Sequence, residues 1–318
     1  MPSASINKIA QTFIIALMPT LFLLGYFTFD DTVGNVSYTK KAIVNQATLT
    51  GFITGINSQM VRVEGGRFTM GSNKLTDKEK PAHEVEISSF MMSKAMVTVE
   101  QFGYFVSASG YKTRAEKDSG SFVFNGDNWS IRSYVNWRYD ESGHQQTLVN
   151  NSKPVLHVSW YDAEQFCRWL SGITGRRYRL PTEAEWEFAA RGGSKSAGYL
   201  YSGGNDASAV SWNGTNSGLK VHPVCLKLPN ELGLYDMSGE AWEWCSDWYS
   251  PNYYSQSDLK DPKGPETGNE KICRGGSYLS GSGTADLGPI DQLYPVSRGK
   301  ELPYLPAGDA SFRIVLQQ

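Results

Sequence analysis

The chain has 318 residues, of which 40% are hydrophobic and 19% are charged. This composition supplies enough apolar material for a sizeable core and is not that of a disordered chain. The formal net charge of -2, from 30 Lys and Arg against 32 Asp and Glu, argues against nucleic-acid binding driven by an overall basic field. The 9 Trp, 17 Tyr and 32 Gly favour a loop-rich globule held together by aromatic rings.

An apolar segment lies close to the N-terminus. The run Ile9–Phe29 follows Lys8 and precedes Asp30 and Asp31. About 20 apolar residues are enough to cross the roughly 30 Å bilayer core, and this placement of charges keeps the N-terminus in the cytoplasm. We predict that residues 1–29 are an uncleaved signal anchor, with a cleaved signal peptide or a buried core helix as alternatives. The rest of the chain then lies in the periplasm or outside the cell, held by one inner-membrane helix or released by cleavage.

The body of the protein begins after a polar segment. Residues 30–58 are rich in Thr and Asn, which predicts a linker, and a domain of residues 59–318 follows. Polarity alternates over Met60–Val63 and again over Arg67–Gly71 after two glycines, which indicates a hairpin. Residues 85–92 are a further strand candidate.

Helix start signals occur at three places. Thr98, Ser159 and Thr182 can each cap a helix, and Thr182 forms a full capping box with Glu185. After Gly192 the chain consists mainly of short turns, Gly, Pro and aromatic residues. We predict an α+β fold with little regular secondary structure, in which long loops carry the binding surfaces.

Six segments of this domain form a recognisable series. They are Arg67–Ser72, Lys153–Trp160, Tyr178–Glu187, Gly233–Trp244, Arg274–Tyr278 and Ser311–Arg313. Their order and spacing resemble those of the formylglycine-generating enzyme family, also called sulfatase-modifying factors, from about residue 60 to the C-terminus. The resemblance implies the family's C-type-lectin-related fold, with short strands and two or three helices.

The chemistry of that family depends on two cysteines. Its enzymes use O2 and a copper ion bound by these thiols to oxidise a cysteine of a substrate protein to formylglycine. The resemblance places the thiols at the second and seventh positions after Tyr278, where this chain has Ser280 and Ala285. Because soft thiolates select Cu(I) and a hydroxyl is a hard donor, we expect no copper site. Cys273 precedes the motif and does not replace either thiol.

The resemblance also implies a pocket that is partly retained. It assigns Trp242 and Ser277 to the oxygen and thiol pocket and Trp137 to the peptide groove. Asp309 stands at a groove position where the family has asparagine. The alternative is that the two tryptophans belong to the core and that Ser277 is an ordinary strand residue.

A calcium site is a further implication of the resemblance. Its ligands would be the side chains of Asp236 and Glu243 and the carbonyl oxygens of Gly239 and Ala241, since Ca²⁺ takes six to eight oxygens. The alternative is that Asp236 caps a turn and that Glu243 pairs with an arginine. A second family calcium site is expected to be lost, because Val210–Ser211 replace its Asn-Ile pair.

The four cysteines form no C-x-x-C pair, which argues against zinc-ribbon and thioredoxin-type sites. The resemblance would pair Cys167 with a position that is Ile314 here, so a buried thiol is expected at Cys167. The sequence allows one disulfide among Cys225, Cys245 and Cys273 without selecting the pair, and the alternative is that some of the cysteines are buried free thiols.

Three functional classes follow. The first is a non-catalytic module that binds a peptide, a glycan or a protein partner, with the loop Ser280–Gly308 as the variable part of its surface. The second is an oxidoreductase with altered chemistry, which matures a peptide or a siderophore-type substrate. The third is formylglycine generation with a displaced metal site.

Overall fold

A computed structural model describes residues 46–118, 120–149, 151–283 and 288–317. The helices are α1 (Gln46–Ser58), α2 (Val99–Ser109), α3 (Arg114–Lys117), α4 (Trp160–Thr174), α5 (Glu183–Ala190) and α6 (Ala207–Val210). The strands are β1 (Met60–Val63), β2 (Gly66–Met70), β3 (His83–Ile87), β4 (Phe90–Ser93), β5 (Ser121–Phe124), β6 (Trp129–Arg132), β7 (Tyr178–Arg179), β8 (Trp242–Trp248), β9 (Lys271–Arg274), β10 (Arg298–Glu301), β11 (Ala310–Ser311) and β12 (Val315–Leu316).

Two four-stranded sheets organise these elements. The first has the order β1-β4-β12-β7 and the second the order β10-β9-β8-β11, while β2-β3 and β5-β6 form separate two-stranded ribbons. The last strand of the chain, β12, is a central strand of the first sheet, and β11 pairs in parallel with the start of β8 in the second. The C-terminal segment therefore connects the two sheets. The predicted mixture of helices and strands is confirmed.

The predicted helix starts are also confirmed. The side chains of Thr98, Ser159 and Thr182 each accept a hydrogen bond from the backbone N–H three residues later. The side chain of that later residue in turn accepts the backbone N–H of the cap residue. The resulting helices α2 and α4 bury their apolar faces in one core, around Phe102, Phe166 and Phe312. These starts were predictable because a capping box is a purely local interaction.

Helix α1 is a correction to the predicted linker. Its Phe52 ring stacks on Tyr104 with centroids 4.2 Å apart, and Ile56 belongs to the core with only 4% of its surface exposed. Asn57 accepts a hydrogen bond of 2.7 Å from the Tyr178 hydroxyl. Residues 46–58 are thus part of the globule, because three spaced contacts hold the helix against it.

The predicted signal anchor, residues 1–29, lies outside the described residues. Among the helices that the structure describes, none combines the length and the apolarity needed to cross a bilayer.

The predicted hairpin between β1 and β2 is wrong. Strand β1 pairs with β4, and β2 pairs with β3. A Cβ atom at Gly65 would lie 2.4 Å from the carbonyl oxygen of Ile87, so the Gly65 backbone passes directly against the end of β3. The two glycines therefore connect β1 of the first sheet to the β2-β3 ribbon and do not form a hairpin turn.

The single strand predicted over residues 85–92 is divided in two. Asp261 accepts hydrogen bonds from both the backbone N–H and the hydroxyl of Ser88, each 2.7 Å long. These bonds take Ser88 out of strand pairing, and the break separates β3 from β4.

A buried ion pair fixes the C-terminal segment. The Arg313 guanidinium donates to both carboxylate oxygens of Glu243 in β8, at 2.5 and 2.7 Å, and both side chains are at most 1% exposed. Arg313 also donates to the carbonyl oxygens of Ser93 and Tyr235. One guanidinium thus joins β4, β8 and the loop before β8.

A second buried charge network lies beneath β9 and β10. Arg298 makes a bidentate pair with Glu183, at 2.7 and 2.8 Å. Arg274 contacts Glu183 at 3.2 Å and also pairs with Glu187. All four of these charged groups are almost fully buried, so removal of any one of them would leave a buried charge without its partner.

The Arg313→Met variant should be strongly destabilised, because it leaves the Glu243 carboxylate buried without its partner. Loss of one member of a buried pair costs about 3–5 kcal/mol, and urea unfolding followed by circular dichroism measures this free energy. Arg62→Met is the matched control, since Arg62 pairs with Glu64 at the surface. The double variant Arg313→Met/Glu243→Leu should recover part of the loss. Equal unfolding free energies for Arg313→Met and Arg62→Met would contradict the assigned role.

Candidate functional site

The turn after β9 forms one wall of the candidate site. Gly275 and Gly276 follow β9 with φ angles of 100° and 73°, which side chains other than glycine rarely adopt. A Cβ atom at Gly276 would lie 3.0 Å from the carbonyl oxygen of Gln292. The turn therefore packs closely on the 3₁₀ turn of residues 290–293 and brings Ser277 to the wall of a cavity.

Ser280 occupies the first position at which the resemblance places a copper ligand. Its side chain is fully buried. The hydroxyl donates to Gln292 Oε1 at 2.7 Å and accepts the backbone N–H of Ser277 at 3.1 Å. Ser280 thus stabilises the turn through hydrogen bonds and offers no soft donor. The second position, Ala285, lies outside the described residues.

A cavity of about 130 Å³ lies beside this turn. It contains Trp242, Ser277 and Asp309, three of the four residues that the sequence assigned to a pocket. The complete lining is Trp129, Trp242, Ser277, Leu279, Gly288, Gln292 and Asp309. The structure therefore brings these three predicted residues together around one space.

A larger cavity of about 450 Å³ adjoins the same residues. It shares Trp242, Gln292 and Asp309 with the smaller cavity, and β8, β9, β10 and the segment 75–79 supply its other walls. This volume is within the range of small-molecule binding sites, about 300–1,000 Å³.

Gly299 of β10 determines how closely the Trp242 ring approaches the sheet. A Cβ atom at this position would lie 2.8 Å from the ring and 3.1 Å from the carbonyl oxygen of Cys273. The ring of Trp242 therefore packs directly on the β10 backbone, and a side chain at position 299 would occupy the same space.

The carboxyl group of Asp309 is the main electrostatic feature of both cavities. The backbone N–H of Trp242 donates to the backbone carbonyl oxygen of Asp309 at 2.8 Å, which fixes Asp309 beside β8. Within the described part of the chain, no other residue donates a hydrogen bond to the Asp309 carboxylate. Burial, with a smaller contribution from Glu301, raises the pKa of Asp309 to about 7. This carboxyl group therefore changes charge close to neutral pH.

Cys273 also lines the larger cavity. Burial raises the pKa of its thiol well above the usual range, and the nearby Glu301 and Asp309 carboxylates raise it further. The thiol is protonated at neutral pH, and a protonated thiol is neither a good nucleophile nor a good metal ligand. All four cysteines are free thiols, so Cys273 forms no disulfide with Cys225 or Cys245.

Trp137 does not reach this site. Its ring is 1% exposed, packs edge to face on Phe102 with centroids 5.5 Å apart and lines neither cavity. Trp137 therefore lies in the core and not in the expected groove. Phe102 and the Arg138 guanidinium, 4.4 Å from the ring centroid, cover its ring.

Asp236 and Glu243, the two carboxylates expected to bind calcium, both form hydrogen bonds within the protein. Glu243 pairs with Arg313 and accepts the Trp186 indole N–H at 3.1 Å, which confirms the alternative prediction of an arginine partner. Asp236 accepts the backbone N–H of Cys225 at 2.9 Å, and burial raises its pKa to about 6.

Much of the donor set of the implied calcium site is already engaged within the protein. Three hydrogen bonds already occupy the Glu243 carboxylate, and the Arg313 charge balances it. The Gly239 carbonyl oxygen accepts the Ala241 N–H at 2.9 Å. A divalent cation at these atoms would have to share the buried Glu243 carboxylate with the Arg313 guanidinium. Among the described residues, no cluster of three or more His, Cys, Asp and Glu side chains is arranged for a metal ion.

Sequence reasoning missed Gln292, Glu301 and Cys273 as lining residues. Gln292 and Glu301 lie in the loop Ser280–Gly308 that the sequence marked as a binding surface, but nothing in their local pattern separates them from their neighbours. The position of Glu301 depends on the pairing of β10 with β9, and Gln292 is held by its hydrogen bond with Ser280. Both contacts join residues that are distant in the sequence.

Comparison with known proteins agrees with this architecture. Residues 48–318 match the sulfatase-modifying factor enzyme 1-like domain. The chain is 38% identical to the formylglycine-generating enzyme of Streptomyces coelicolor over 253 residues, which covers 69% of this chain and 78% of that enzyme. It is 36% identical to the inactive C-alpha-formylglycine-generating enzyme 2 of mouse, covering 60% of this chain and 70% of that protein. Among solved structures, variable protein 1 of Treponema denticola superposes with a TM-score of 0.61 at 25% identity, over 81% of this chain and 95% of that one. The chain therefore belongs to the formylglycine-generating enzyme, or sulfatase-modifying factor, family.

Proposed function

We propose that this protein is a pseudoenzyme of its family, a module that binds a peptide, protein or glycan ligand and does not carry out the copper-dependent oxidation. The observation that carries this proposal is the bonding of Ser280. A hard hydroxyl, held by Ser277 and Gln292, takes the place of a soft thiolate, and alanine stands at the second ligand position. Neither side chain can hold Cu(I).

The cavities supply the other half of the proposal. Trp242 and Asp309 border both of them, so an aromatic ring and a carboxyl group are available to a ligand where the family reaction would take place. Similarity to a mouse relative whose name describes it as inactive supports a family member without the reaction.

The wild-type protein should leave a Cys-x-Pro-x-Arg peptide unchanged in the presence of Cu(I) and O2, because it has no thiolate pair for the metal. Mass spectrometry of the peptide detects the aldehyde, and an oxygen electrode measures O2 consumption. The copper content of the protein after dialysis measures metal binding. The double variant Ser280→Cys/Ala285→Cys is the matched control, and it should retain copper that the wild-type protein does not retain.

Two outcomes would contradict the proposal. Aldehyde formation by the wild-type protein would establish formylglycine generation with a displaced site. Retained copper or iron together with O2 consumption, but without aldehyde, would establish an oxidoreductase of altered chemistry.

For calcium, the expected outcome follows from the Arg313–Glu243 pair. Because a guanidinium already balances Glu243, the melting temperature of the wild-type protein should be the same in EDTA and in millimolar CaCl2, as measured by scanning calorimetry. A stabilisation by calcium that Asp236→Asn abolishes would instead establish the ligand set Asp236, Gly239, Ala241 and Glu243. The exposed variant Asp258→Asn controls for unspecific charge effects.

Export and membrane anchoring are proposed from the sequence of residues 1–29. A C-terminal alkaline phosphatase fusion, expressed in a Gram-negative bacterium, should be active and should sediment with the membrane. Deletion of residues 2–29 should abolish both properties. An active fusion in the soluble periplasmic fraction would favour the cleaved signal peptide, and activity without residues 2–29 would contradict export by this segment.

A further inference from the structure

The larger cavity contains more carboxylates than cations that are free to balance them. Two of the cations on its wall are already paired: Arg298 binds Glu183 through two hydrogen bonds of 2.7 and 2.8 Å, and Lys300 lies 2.7 Å from Glu270. Neither Glu183 nor Glu270 lines the cavity. The charges of Arg298 and Lys300 are therefore compensated from outside the cavity.

The carboxylates on the wall are not compensated in this way. Glu79 has neutral partners, the hydroxyl of Thr76 and the backbone N–H of Arg298. Asp291, Glu301 and Asp309 also line the cavity, and none of them forms a salt bridge within the described residues. Among the described lining residues, Lys78 is the remaining cation that could oppose these charges.

Asp309 is the carboxylate best placed to contact a ligand. It lines both cavities together with Trp242, and its backbone is tied to Trp242 by a 2.8 Å hydrogen bond. Burial raises the pKa of this carboxyl group to about 7, and a cationic group bound beside it would favour its ionised form. A carboxylate next to an indole ring is the combination that recognises ammonium and guanidinium groups, through a charge-assisted hydrogen bond and a cation–π contact.

We propose that the cavity binds its ligand through a cationic nitrogen group, an ammonium or a guanidinium, which the Asp309 carboxylate and the Trp242 ring hold together. This inference rests on the proposed binding function and specifies its ligand class. At the matching position the family resemblance implies a neutral asparagine, so the charge preference is a property of this chain's own aspartate. The cavity volume of about 450 Å³ accommodates a basic amino-acid side chain with its flanking amides.

Two probes of nearly the same shape separate charge from size. Nα-acetyl-arginine amide carries a guanidinium, and Nα-acetyl-citrulline amide has a neutral urea in its place; Nα-acetyl-lysine amide supplies the ammonium. Isothermal titration of the full chain in detergent should give about tenfold or greater preference for arginine over citrulline. Asp309→Asn should remove this preference by lowering the affinity for arginine far more than the affinity for citrulline.

Further variants locate the effect. Glu301→Gln, also on the wall, should reduce the preference less than Asp309→Asn, because Glu301 is exposed. Asp258→Asn, an exposed carboxylate that lines neither cavity, should leave the preference intact. Trp242→Ala should lower the affinity for all three probes.

Each other result has a defined meaning. If the arginine and citrulline probes bind equally well and Trp242→Ala abolishes binding of both, the charge inference is wrong but the proposed binding function is supported. An arginine preference that survives Asp309→Asn, or no binding of any probe at millimolar concentration, would also overturn the inference. Aldehyde formation by the wild-type protein in the copper assay would overturn the proposed function itself.

Discussion

The bidentate ion pair between Arg313 and Glu243 determines how the C-terminal segment lies on β8. Both charges are out of water, so the pair is favourable only if its geometry is kept. The segment that carries Arg313 includes β11, which pairs with the first residues of β8, and Asp309 comes just before it. The relative position of Asp309 and Trp242, which border both cavities, therefore depends on a charge pair located behind the cavity wall.

The local parts of this fold could be predicted from the sequence. The starts of α2, α4 and α5 follow from capping boxes, in which each cap needs only the next three residues. The clustering of Trp242, Ser277 and Asp309 followed from the family resemblance, because their motifs are retained in order.

The parts that depend on distant contacts could not be predicted. Residues 298–301 read Arg-Gly-Lys-Glu, with no alternation of polarity, and they form a strand only because β9 offers an edge. The sequence pattern predicts a hairpin turn at Gly65, but in the structure the backbone of this residue packs against the carbonyl oxygen of Ile87. Trp137 shows the same limit, since a tryptophan has the same sequence signature in a groove as in a core.

The scaffold of the candidate site is held by the protein's own hydrogen bonds. Ser280 keeps the turn after β9 closed through two hydrogen bonds, so the geometry of the turn does not require a bound metal. The same turn, together with the 3₁₀ turn of residues 290–293, still encloses a space next to Trp242 and Asp309. Under the proposed function, the indole and the carboxyl group beside this space serve non-covalent recognition.

Gly299 gives this cavity an unusual sensitivity to mutation. Its missing side chain is the space that the Trp242 indole occupies against β10, so one added methyl group would shift the indole or the strand edge. Related proteins could therefore change the width of this cavity through one substitution at this position, which would move the Trp242 indole without changing its chemistry.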